Sequence, residues 1–128
     1  MADKETEKGR RILVADDDEG ISRLLTRILQ RAGYTVVTAA DGAQAVSQAQ
    51  QESPDLVLLD ILMPGGGGLL ALARLKMSAK TDIIPVIVLT GAASADEEAR
   101  ALATGAIRVL RKPFDTATLL DAIRQAIG

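Results

Sequence analysis

A chain of 128 residues with a formal charge of -2 is long enough for one domain with a true core and short for two, and its mixed charges offer no basic stripe for nucleic acid and no polybasic patch for a membrane. The absence of cysteine and histidine excludes disulfides, thiol chemistry, most zinc sites and every histidine-dependent triad, so any metal must be held by oxygen ligands. No apolar run reaches the ~18 residues of a membrane span, and the first ten residues lack the apolar stretch of a signal peptide, which leaves a cytoplasmic protein as the expectation, with a polar tail over 1–10 and one domain over 11–128.

The elements alternate along the chain. Ile12-Leu13-Val14-Ala15 is a strand running into Asp16-Asp17. Ile21, Leu24, Leu25, Ile28 and Leu29 recur at helical spacing and stop near Gly33, a glycine C-cap. Thr35-Val36-Val37-Thr38 reads as an outer strand, and Asp41 caps a second helix with Gln44 at its third position and a thin apolar face of Ala45, Val46 and Ala49 that Ser53-Pro54 closes. Leu56-Val57-Leu58-Leu59 leads into Asp60. After Gly65-Gly66-Gly67-Gly68, expected to be a flexible loop, Leu69, Leu72, Ala73 and Leu75 carry a third helix. Val86-Ile87-Val88-Leu89 ends in Thr90, and a fourth helix with an apolar face of Ala95, Ala99, Leu102 and Ala103 opens on a Ser94-x-x-Glu97 capping box and stops at Gly105. Val109-Leu110 runs into Arg111-Lys112, and after Asp115 a fifth helix turns Leu119, Ile123, Ala126 and Ile127 inward, with Asp121 and Arg124 in water. Strands 1, 3 and 4 are almost wholly apolar, as parallel strands covered on both faces must be. The expected fold is a doubly wound (βα)5, flavodoxin-like sheet of order 2-1-3-4-5, which sets strands 1 and 3 side by side at the switch point.

In such a sheet ligands bind beyond the carboxyl ends of the strands. Asp16, Asp17, Asp60, Thr90 and Lys112 all stand at strand ends, so residues far apart in sequence are expected to converge. Like charges about 5 Å apart repel by roughly 3 kcal/mol at an effective dielectric of about 20, so gathered carboxylates call for a cation or raised pKa values. Magnesium, with manganese as a substitute, suits one or two carboxylates plus phosphate oxygens. Taken singly, Asp17 or Asp18 is equally a helix cap, Thr90 a hydroxyl satisfying backbone and Lys112 a solvated amine. Asp60 is different, because a charge after four buried-type residues is costly unless it is used. Together the five read as a phosphoryl-transfer site: a carboxylate nucleophile, with Thr90 and Lys112 to meet the developing charge.

The chain from Arg11 to Gly128 resembles the receiver domain of bacterial two-component response regulators. Ile12 to Asp18 is similar to that family's acidic-pair strand, Pro54 to Gly65 to its phosphoacceptor segment, and Lys112-Pro113-Phe114 to its lysine-proline turn. The resemblance implies that Asp60 accepts a phosphoryl group from a sensor histidine kinase or histidine phosphotransfer protein. It also implies that Asp16, Asp17, Asp60 and the Leu62 backbone carbonyl bind magnesium, that Thr90 and Lys112 hold the phosphoryl oxygens, and that a cis bond before Pro113 aims Lys112. The domain would be no turnover enzyme, catalysing only its own phosphorylation and dephosphorylation, and would switch conformation to control a downstream protein without touching nucleic acid or entering a membrane. Four positions depart from the pattern. Val109 stands where the family has Tyr or Phe as a rotating reporter, Gly67 stands where it has Asp, and Leu62 and Ala92, two residues beyond Asp60 and Thr90, cannot orient an attacking water.

Other readings compete. A dehalogenase-type phosphatase needs a second carboxylate two residues beyond its nucleophile, where this chain has Leu62. A flavodoxin-like nucleotide binder wants a phosphate loop after strand 1, where Asp16-Asp17-Asp18 would repel phosphate. A pseudo-receiver, an interaction module independent of phosphorylation, draws its support from Val109. A stand-alone regulator is expected rather than a piece cut from a hybrid kinase.

Overall fold

The structure is a computed structural model that describes residues 10–63 and 67–128. The polar tail over 1–9 and the first half of the glycine run lie outside the described residues. Five parallel strands form one sheet in the order β2-β1-β3-β4-β5, the order expected from the sequence. The strands are β1 (Arg11–Ala15), β2 (Thr35–Ala39), β3 (Leu56–Asp60), β4 (Val86–Thr90) and β5 (Arg108–Arg111). Between them run α1 (Glu19–Arg31), α2 (Gly42–Glu52), α3 (Gly67–Met77), α4 (Ala95–Thr104) and, last, α5 (Thr116–Ile127).

The period of two along each strand divides the core. Leu13, Val57, Leu59, Val86 and Val88 point to one face, where Ala45, Ala49, Ala71, Leu72, Leu75 and Ala101 from α2, α3 and α4 cover them. Ile12, Val14, Leu56, Leu58, Ile87 and Leu89 point to the other, under Leu25 and Leu29 of α1 and Leu119, Ala122 and Ile123 of α5. The central strands β3 and β4 are buried throughout, whereas the edges β2 and β5 are buried only in part.

Local chemistry sets the helix ends. Asp18, Asp41, Ser94 and Asp115 each accept a hydrogen bond from the backbone three residues on, and both bonds of the Ser94–Glu97 capping box are present. Helix α1 ends in a Schellman arrangement, with the Tyr34 amide donating to the Leu29 carbonyl and the Gly33 amide to Gln30, and Gly33 at φ +100°.

Two expectations are corrected here. The face of α4 formed by Ala95, Ala99, Leu102 and Ala103 is exposed, Leu102 by 50%, and Ala101 is the buried position. An alanine-rich helix carries too little difference in hydropathy for spacing to choose its inner face. Second, the glycine run is not slack at its end. A Cβ on Gly68 would lie 2.2 Å from the Asp60 carbonyl oxygen and 2.6 Å from the Ile61 Cα. The first turn of α3 therefore packs directly on the backbone that leaves β3, and the Gly68 amide donates to the Ile61 carbonyl at 2.9 Å.

Candidate functional site

The sheet order brings the ends of β1 and β3 side by side, Ala15 pairing with Leu59. One residue further on, Asp16 and Asp60 are both buried, at 4% and 6% exposure, and Asp17 is exposed. One carboxylate oxygen from each of Asp16, Asp17 and Asp60 lies within 4.8 Å of the others. Lys112, which follows β5, reaches across to the same point. Its Nζ is 2.7 Å from Asp16 Oδ2 and 3.6 Å from Asp60 Oδ2, a contact spanning 96 residues of sequence. The Lys112–Pro113 peptide bond is cis.

Backbone amides fix the carboxylates. Asp16 Oδ1 accepts from the Asp18 amide at 2.9 Å, and Asp60 Oδ1 accepts from the Leu62 amide at 3.0 Å, which leaves each second oxygen turned to Lys112. Asp18 itself caps α1 through the Ile21 amide, so the third aspartate of the run is structural while the first two face the site. Burial is the largest influence on Asp60 and pushes its carboxyl above the ordinary range. The Leu62 amide and the Lys112 ammonium oppose that rise, and Asp16 and Asp17 add to it.

Thr90 ends β4 at 1% exposure, and its Oγ1 accepts from the Ala93 amide at 3.1 Å. Its backbone pairs with Arg111, next to Lys112. Val109 is half-buried and packs on the face covered by α4. A cavity of about 260 Å³ opens beside Asp16 and Asp17 between the start of α1, the end of β2 and Gln44. On the other side, Ile21, Leu24, Pro113 and Phe114 line an apolar groove of about 310 Å³ that ends at Lys112. The donor set of three carboxylates with no nitrogen or sulfur ligand fits a hard divalent cation. The response regulator receiver family model matches residues 12–124.

The chain belongs to the response regulator receiver family. Protein PilH of Pseudomonas aeruginosa is 38% identical over 118 residues, which cover 92% of this chain and 98% of that protein. The phosphate regulon transcriptional regulatory protein PhoB of Klebsiella pneumoniae is 39% identical over 115 residues, 90% of this receiver and 50% of PhoB, so the receiver spans about half the length of its PhoB-type relatives. A CheY-like receiver domain protein from Methanospirillum hungatei JF-1 superposes with a TM-score of 0.88 at 29% identity, covering 93% and 94% of the two chains. Chemotaxis protein CheY4 of Vibrio cholerae superposes with a TM-score of 0.86 at 32% identity, over 92% and 98%. With the family shown, the dehalogenase-type and nucleotide-binding readings fall away.

Spacing alone missed the supports at the far end of β4, where the chain enters the strand from α3. Thr81 is buried, and its hydroxyl donates to the Leu75 carbonyl at 2.7 Å. Lys76 donates to the carbonyls of Asp82 and Ile84 at 3.0 and 2.7 Å, and burial draws its ammonium below the usual lysine range. These bonds shape the turn from α3 into β4 and so the strand that carries Thr90.

Proposed function

We propose that this receiver accepts a phosphoryl group on Asp60 from a phosphohistidine of a sensor kinase or histidine phosphotransfer protein. The convergence of Asp16, Asp17, Asp60 and Lys112 carries the reading. A free carboxylate oxygen of Asp60 attacks phosphorus while the bond from phosphorus to the imidazole nitrogen breaks and the ring leaves with that electron pair. Lys112 and the Thr90 hydroxyl meet the phosphoryl oxygens, Lys112 by leaving its contact with Asp16 and Thr90 by turning its side chain toward the new group. A divalent cation, magnesium or manganese, held by Asp16, Asp17, Asp60 and the Leu62 carbonyl, would supply the positive charge that gathers these anions.

The reaction is confined to the receiver's own aspartate, so the protein is a switch and not a turnover enzyme. No helix among the described residues is long and apolar enough to cross a membrane, in keeping with a cytoplasmic signalling protein that acts through a downstream protein. The apolar groove ending at Lys112 suits the approach of a partner helix beside the reactive group. Val109, held against the core, favours a second reading, a pseudo-receiver whose pocket is not used. Intact-mass measurement after incubation with acetyl phosphate separates the two. The expected result is a gain of one phosphoryl group that requires magnesium and is absent in Asp60→Asn; no gain in the native protein, with or without magnesium, supports the pseudo-receiver.

A further inference from the structure

Glu98, on α4, and Arg111, on β5, form an ion pair with 2.9 Å between Oε2 and Nη2. The carboxylate side chain is 19% exposed and the guanidinium 70%. The oxygen is out of solvent yet accepts no well-directed hydrogen bond, so charge rather than alignment holds the contact. The contact lies close to the site on both sides. Arg111 pairs in register with Thr90 and precedes Lys112. Glu98 lies in the first turns of α4, whose entry at Ala93 donates its amide to the Thr90 hydroxyl.

We propose that the Glu98–Arg111 pair is a positioning clamp that holds α4 on β5 in the unphosphorylated arrangement and so opposes the phosphorylated one. The inference rests on the phosphoacceptor reading. Turning Thr90 toward a phosphoryl group on Asp60 disturbs its bond to the Ala93 amide, and α4 can follow that change only as far as its anchor on β5 permits. Val109, a short aliphatic, has no ring whose rotation could relay the movement, which leaves the charged contact one strand position beyond Leu110 to resist it. A constraint present in one state and weakened in the other shifts the population between them.

The test is calorimetric titration of the whole chain with beryllofluoride and magnesium, alongside amide hydrogen exchange at Ala93 and through α4. Because partly exposed ion pairs are weak, Glu98→Gln and Arg111→Gln are each expected to tighten beryllofluoride binding by about two- to fivefold. Both should speed exchange in α4 without ligand. The double variant should do no more than either single one, and the exchanged pair Glu98→Arg with Arg111→Glu should restore native affinity. Native affinity in the single variants, weaker binding in either, or additive effects in the double variant would overturn the clamp while leaving Asp60 as the acceptor. A native protein that takes up no beryllofluoride would overturn the phosphoacceptor reading and the clamp's role with it.

Discussion

Replacing Asp60 with asparagine removes the reactive group and is expected to make the metal-free protein more stable. Asparagine keeps the oxygen that accepts from the Leu62 amide at 3.0 Å and fits the same space. What disappears is a buried charge facing two carboxylates within 4.8 Å and one ammonium at 3.6 Å. At an effective dielectric of about 20 each repulsion is worth about 3 kcal/mol and the attraction about 4–5 kcal/mol. Lys112 keeps its shorter contact with Asp16 in the variant. Burial adds to the cost of the charge and the stronger bond that the Leu62 amide makes to a charged oxygen offsets part of it, so the net gain is about 2 kcal/mol, or about 5–10 °C in Tm for a domain of this size. The sign follows from linkage. Asp60 has a raised pKa in the folded state, so between the ordinary carboxylate value and the raised one the native state binds more protons than the unfolded state. Native stability therefore falls as pH rises through that window. The advantage of the variant should be absent at acid pH, open across the window and stay constant above it. Urea unfolding of both proteins from acid to neutral pH, in chelator and then in magnesium, measures this. Magnesium should narrow the gap by stabilising the native site more. A variant less stable than the native protein at neutral pH in chelator would refute the reasoning.

Gly68→Ala should destabilise the domain by about 2–4 kcal/mol, because its Cβ would meet the backbone of Asp60 and Ile61. Gly33→Ala has open space but a φ of +100° and should cost only about 1 kcal/mol; denaturant midpoints that reversed this order would contradict the close packing of α3 on β3. Thr81→Val leaves the Leu75 carbonyl without its 2.7 Å partner and should cost about 1–2 kcal/mol, read as a lower midpoint at unchanged slope. Leu62 is 43% exposed and Ala92 is also exposed, so polar replacements there would reach solvent beside the phosphoryl group. Leu62→Asn with Ala92→Glu should shorten the life of the phosphorylated form severalfold by positioning a water; an unchanged or longer half-life would show that these side chains do not limit hydrolysis.

Strands were legible because burial on both faces demands continuous apolar runs, and β3 and β4 meet that demand at every position but their last, Asp60 and Thr90. Caps were legible because Asp41, Ser94 and Asp115 bond to backbone only three residues away. The acidic cluster and Lys112 could be placed from strand ends alone, since a parallel sheet puts all those ends on one side. The inner face of α4 was not legible, because its one buried residue is Ala101 and its largest apolar side chain, Leu102, faces outward. Gly68 reads as a loop glycine until β3 is seen directly beneath it. The bonds of Lys76 and Thr81 run from side chain to backbone over six to eight residues and leave no periodic trace. The same is true of the pair from Glu98 to Arg111, which needs the packing of α4 on β5 to be known.

The most direct test of the central claim is to identify the residue that carries the phosphoryl group. The protein is phosphorylated in magnesium, reduced with borohydride, which converts an aspartyl phosphate to homoserine, and mapped by peptide mass spectrometry. Homoserine is expected at position 60, with Asp16 and Asp17 unmodified and no conversion when magnesium is chelated. Conversion at another aspartate, or none in a protein that unfolding measurements show to be native, would contradict the claim.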